Sequence, residues 1–116
     1  MRLEARKYLF DIRKAAELLA RFSADKTFDE YTRDPLLKSA VERQFEIIGE
    51  ALGQVLKVQP ALADRVSQCR RIIAFRNILI HGYASISDDV VWDVLKHDLP
   101  VLRQEVEGLL KDTNAS

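Results

Sequence analysis

The sequence predicts an all-α, single-domain, antiparallel up-and-down bundle of four to five helices. Apolar residues recur at three- and four-residue steps almost throughout, and no stretch sustains the period-two alternation of a half-buried strand. A length of 116 residues with 47% hydrophobic content is the size of one domain with a real core. Only four glycines and three prolines interrupt the pattern.

A first helix is predicted from about Leu3 to Phe22, with Leu9, Ile12, Ala15, Leu19 and Phe22 inward. The stretch from Ser23 to Arg33 is polar and irregular, with one short turn around Phe28 and Tyr31. Asp34-Pro35 then starts a second helix, because an aspartate oxygen caps free amides and a proline costs nothing at the first helical position. That helix reaches about Lys57 and buries Leu37, Val41, Phe45, Ile48, Leu52 and Val55. Pro60 opens the third helix, which ends near Gly82, a residue suited to the left-handed conformation that often follows a helix. Ser87 or Asp88 caps the fourth. Its stripe of Val91, Leu95, Leu99, Leu102, Val106 and Leu109 keeps phase through Pro100, which predicts one long helix kinked there rather than two. The bundle domain spans residues 1–112, and residues 113–116 form a frayed tail.

No run is long enough to span a bilayer, and no apolar leader with a small-residue cleavage site is visible, so the expected location is the cytoplasm, away from membranes. The single cysteine, Cys69, has no internal partner and reads as core filling. No Cys/His cluster has metal-ligand spacing, so neither a metal nor another cofactor is expected. Formal charge balances at 18 basic against 18 acidic residues, which excludes general stickiness toward polyanions. The distribution is uneven: residues 61–83 hold four arginines against Asp64 alone. Any nucleic acid should therefore bind that segment, with Arg70 and Arg71 as candidate RNA contacts.

Within it, Phe75 to Tyr83 reads Phe-Arg-Asn-Ile-Leu-Ile-His-Gly-Tyr. At about 100° per residue, Cys69, Ile72, Ile73, Leu79 and Ile80 all fall within roughly 60° of Arg76, which places an arginine mid-stripe on an apolar face. Asn77, Arg70 and His81 come at about 100°, 120° and 140° and form a second, polar edge. A buried arginine needs partners. A purely structural role is an ion pair with one of Glu42, Glu46 and Glu50, which stand at four-residue steps on the second helix. For His81 the plain alternative is a helix-terminal imidazole favoured by the helix dipole. His97 lacks a comparable neighbourhood and reads as structural or solvent-exposed, and Tyr83 and Trp92 by default as rim aromatics.

A histidine and a fixed guanidinium suffice for one chemistry without metal. The imidazole moves the proton of a ribose 2′-hydroxyl that attacks the adjacent phosphorus, and the arginine offsets charge on the phosphoryl oxygens. A 2′,3′-cyclic phosphate is left. Asn77, one turn before His81, is placed to hold the imidazole or a phosphate oxygen.

At these residues the chain resembles the HepT-like family of HEPN domains, helical ribonucleases marked by arginine, four variable residues, histidine, one residue and tyrosine. Arg76 to Tyr83 matches that signature. The likeness extends through Ala40-Val41-Glu42-Arg43, Ile47-Ile48-Gly49-Glu50-Ala51, Val91-Trp92 and Asp98-Leu99-Pro100, and so covers nearly the whole chain. Ala74 stands where relatives often have glycine, and the tryptophan often seen upstream of the motif is missing. The resemblance implies a homodimer whose motif helices meet at an RNA-cleaving cleft, with Arg76 and His81 catalytic. It further implies a toxin paired with a nucleotidyltransferase antitoxin that transfers AMP to Tyr83. The rival reading is a non-catalytic dimeric adaptor that binds RNA or such a partner.

Overall fold

A computed structural model of the chain describes residues 1–82 and 86–112. Every regular element among them is helical, as the periodicity predicts. Helix α1 (Leu3–Ser23) buries Ala5, Leu9, Ile12, Ala15, Ala16 and Leu19. Phe22, expected inward, is only half-buried; Ser23 lies inside instead, its hydroxyl donating to the Leu19 carbonyl at 2.9 Å.

The polar stretch that follows is more ordered than its composition predicts. Thr27 and Glu30 form a reciprocal capping box that starts α2 (Phe28–Arg33). Tyr31 in that helix is completely buried, with the Trp92 ring, distant in sequence, packed against it at a tilt, centroids 5.4 Å apart. Asp34 caps α3 (Pro35–Val58) by accepting from the Leu37 amide, with Pro35 in the first turn. Helix α3 buries Val41, Phe45, Ile48, Gly49, Ala51, Leu52 and Val55, while Leu37 is only half-buried. The Arg2 amide donates to the Gln59 side chain at 2.8 Å, which joins the start of α1 to the end of α3 and makes the pair antiparallel. Replacing Asp34 with alanine should cost about 1 kcal/mol through the lost cap. A thermal melt checks it, with an expected Tm drop of roughly 4–8 °C.

The third helix begins later than the sequence predicts. Pro60 opens a separate 3-10 helix, Pro60–Arg65, and α4 spans Cys69–His81. Between them the Ser67 amide and hydroxyl are held by the Glu105 carboxylate, 38 positions away in sequence, at 3.0–3.2 Å. An amide bound there is unavailable to a helical carbonyl, and the helix restarts after it. Gly82 follows α4 with φ −54°, in the ordinary region and not in the expected left-handed one.

Ser87 caps α5 (Asp88–Asp93), as predicted. The chain runs on through a π-helical turn, Val94–Asp98, into α6 (Leu99–Lys111). All six residues of the predicted stripe, Val91 to Leu109, are buried. The irregularity expected at Pro100 takes the form of that wide turn: proline offers no amide, and its ring would collide with the carbonyl four residues back. Helix α6 lies antiparallel to α1, as the Arg6 contact to the Leu110 carbonyl and the Arg13–Glu107 pair show. Helix α3 is central, packing on both α1 and α4. Phe45 meets Phe75 edge-on at 5.2 Å across the α3–α4 contact. The expected frayed tail, residues 113–116, lies outside the described residues.

Candidate active site

Helix α4 carries the motif, and its inner face buries Cys69, Ile72 and Phe75. Cys69 is core filling, and burial pushes its thiol pKa up, against the weaker opposite pull of Arg70. Arg76 continues this inner face. Its side chain is only 24% exposed, because the aliphatic stem lies against Gly49 of α3, where any Cβ would occupy the space of the Arg76 Cβ and Cγ. The head emerges at the edge of the contact, as a long cationic side chain can do while its stem stays in apolar surroundings.

There Nη2 meets the Glu50 carboxylate at 2.6 Å, and Nη1 donates to the Asn77 side-chain oxygen at 3.0 Å. Of the three glutamates predicted as partners, Glu50 is the one in contact. Its side chain is 55% exposed, so the pair adds roughly 1 kcal/mol or less to stability. The tether orients the guanidinium more than it holds the helices together.

His81 is the last residue of α4, exposed, with no hydrogen bond or ion pair among the described residues. Ile78 and Ile80 beside it are 52% and 43% exposed, unusually open for large apolar side chains. Arg70 is exposed. Arg71 is committed elsewhere: its guanidinium reaches Asp93 at 3.1 Å and Asp98 at 2.9 Å, bracing α4 against the last helix. Burial pushes the Asp98 pKa up, Arg71 opposes that, and Asp93 adds to it. His97 is exposed with Nδ1 2.9 Å from Asp93, in agreement with its expected peripheral role. Tyr83 lies outside the described residues.

Gly49 is the residue whose part the sequence did not disclose. A glycine inside a long helix costs about 1 kcal/mol relative to alanine, and that cost was the available signal that something approaches closely. Among the described residues, no three His, Cys, Asp or Glu side chains cluster as metal ligands, and no helix is long and apolar enough to cross a membrane.

Residues 12–109 match the family described as Ribonuclease HepT-like. A Thermococcus cleftensis protein named "Probable ribonuclease HepT" is 32% identical over 96% of this chain and 100% of its own length. Two Methanocaldococcus jannaschii proteins, each named "Putative RNase", are both 31% identical; one match covers 94% of this chain and 89% of the relative, the other 90% and 94%. No solved structure matches the chain significantly. With an all-helical bundle and a family match over most of its length, the chain belongs to the HepT-like ribonuclease family.

Proposed function

We propose that the protein is a metal-independent endoribonuclease, the toxin of a toxin–antitoxin pair, that cuts RNA at a site built from Arg76, Asn77 and His81. The observation that carries this reading is the aimed guanidinium: Arg76 is seated on Gly49 and tethered by Glu50 and Asn77, and the same helix ends five residues later in an exposed imidazole with no partner among the described residues. His81 removes the 2′-hydroxyl proton, the 2′-oxygen attacks phosphorus, and the 5′-oxygen leaves with a proton returned by an imidazole. Arg76 offsets the charge that develops on the phosphoryl oxygens. The products are a 2′,3′-cyclic phosphate and a 5′-hydroxyl.

A homodimer completes this site. Exposed Ile78, one turn before His81 on the same face of the motif helix, gives it an apolar contact to pair across a two-fold axis, and the pairing brings two copies of His81 to one cleft, one to accept a proton and one to donate it. Arg70 contacts the RNA backbone, whereas Arg71, held by Asp93 and Asp98, contributes through the position of α4. Incubation of purified protein with RNA in excess chelator should yield cyclic phosphate ends; intact RNA alongside a co-purifying nucleotidyltransferase would favour the adaptor role.

Regulation acts at Tyr83, two residues beyond His81. A nucleotidyltransferase antitoxin moves AMP from ATP to the phenol oxygen, releasing pyrophosphate and placing phosphate charge where RNA must bind. Intact mass should rise by one AMP and cleavage should cease, with Tyr83→Phe active but unmodified. Silencing of Tyr83→Phe by the same partner would instead show occlusion.

A further inference from the structure

We infer that the groove between α1 and α3 is a base-binding subsite for the nucleotide beside the scissile phosphate, selective for bases that carry amino hydrogens; this rests on the ribonuclease reading above. The groove encloses about 600 Å³, within the roughly 300–1,000 Å³ of small-molecule sites. It exists because two buried alanines, Ala15 and Ala51, line the helix contact where larger side chains would fill it. Its wall includes Glu50, the residue that holds Arg76, so the groove begins where the catalytic guanidinium ends.

The charges at its mouth select the occupant. Glu50 is already paired with Arg76, which leaves Asp11 and Lys14 in balance among the lining residues, with no cationic cluster to draw a phosphate inside; the groove accepts a neutral ring. Half-buried Tyr8 offers a π surface for the ring. Asp11 makes no ion pair or hydrogen bond among the described residues and is a ready acceptor. Adenine, cytosine and guanine bring amino donors to such acceptors. Uracil offers one imide hydrogen flanked by two carbonyl oxygens, a poorer match for the Asp11 carboxylate than an amino group. Exposed Lys14 is then placed for the phosphate that follows the base. A protein helix is the poorer occupant, because the space is ligand-sized and its rim is ionised.

The test uses the full-length protein and short oligoribonucleotides that differ only in the base beside the cleaved bond. KM should be about tenfold lower for adenine, cytosine or guanine than for uracil. Tyr8→Ala should raise KM for the amino-bearing substrates about tenfold, with kcat moving far less, and Tyr8→Phe should restore it. Asp11→Asn, on an exposed position whose change should not disturb folding, should narrow the preference, because an amide can also donate to uracil. Indifference of the wild type to the base, or unchanged KM and preference in Tyr8→Ala and Asp11→Asn, overturns the subsite while leaving the nuclease intact. A protein partner lost in Tyr8→Ala at unchanged KM overturns it equally. Absence of any cleavage, with Arg76→Ala indistinguishable from wild type, removes the nuclease reading itself.

Discussion

Replacing His81 with alanine should lower RNA cleavage by about 10²- to 10⁴-fold, the range that a positioned proton-transfer group contributes. The side chain is exposed and without hydrogen bonds among the described residues, so the melting temperature should hardly move. Arg76→Ala should cost about 10²- to 10³-fold, as removal of one preorganised donor to a developing oxyanion does. Lysine at position 76 should rescue little of it. A single ammonium cannot share itself between Glu50, Asn77 and a phosphate oxygen in the fixed plane that the guanidinium keeps. Single-turnover cleavage with matched thermal melts checks both. Activity equal to wild type in either variant would remove the motif from the mechanism, and loss of activity tracking loss of folding would return Arg76 to a packing role.

What could be read in the sequence was whatever the period of a single helix decides. The last-helix stripe from Val91 to Leu109 needs only its own period, and the structure buries all of it. Arg76 was legible as an arginine on an apolar face for the same reason. Which glutamate meets it was not, because the register of α3 against α4 is a tertiary property and three glutamates share one helix face. Glu50 wins because Gly49, one position earlier, lets the arginine stem approach.

Contacts distant in sequence account for the other departures. Glu105 captures Ser67 and delays the start of α4, and Trp92 covers Tyr31, so a short polar helix acquires a fully buried aromatic. The capping box of Thr27 and Glu30 was present in the sequence as Thr-x-x-Glu. The six-residue helix it starts is too short for an apolar period to mark it. Arg71 looked as available as Arg70 because both belong to one basic segment; only Asp93 and Asp98, arriving from the last helix, distinguish them.

Gly49→Ala sets two effects of similar origin against each other, and the geometry decides between them. Alanine in a helix interior is favoured over glycine by about 1 kcal/mol, which taken alone predicts stabilisation. The new methyl, however, would overlap the Arg76 Cβ and stand 2.6 Å from its Cγ. These atoms are too close to the α4 backbone to swing aside, so relief requires α4 to move away from α3. Overpacking of this kind costs typically 1–3 kcal/mol and sometimes more, and here it also displaces the guanidinium from Glu50. The expected net result is a loss of about 2 kcal/mol. For a domain of this size that is a Tm drop of roughly 10 °C, together with a fall in cleavage that exceeds what the unfolded fraction explains. The other two helical glycines make the control. A Cβ on Gly53 or Gly108 meets nothing within 4 Å, so alanine at either should hold or raise Tm. Thermal melts of the three variants therefore separate a glycine retained for close approach from two that merely occur in helices. Equal stabilisation at all three would show that α3 and α4 stand farther apart than Gly49 requires.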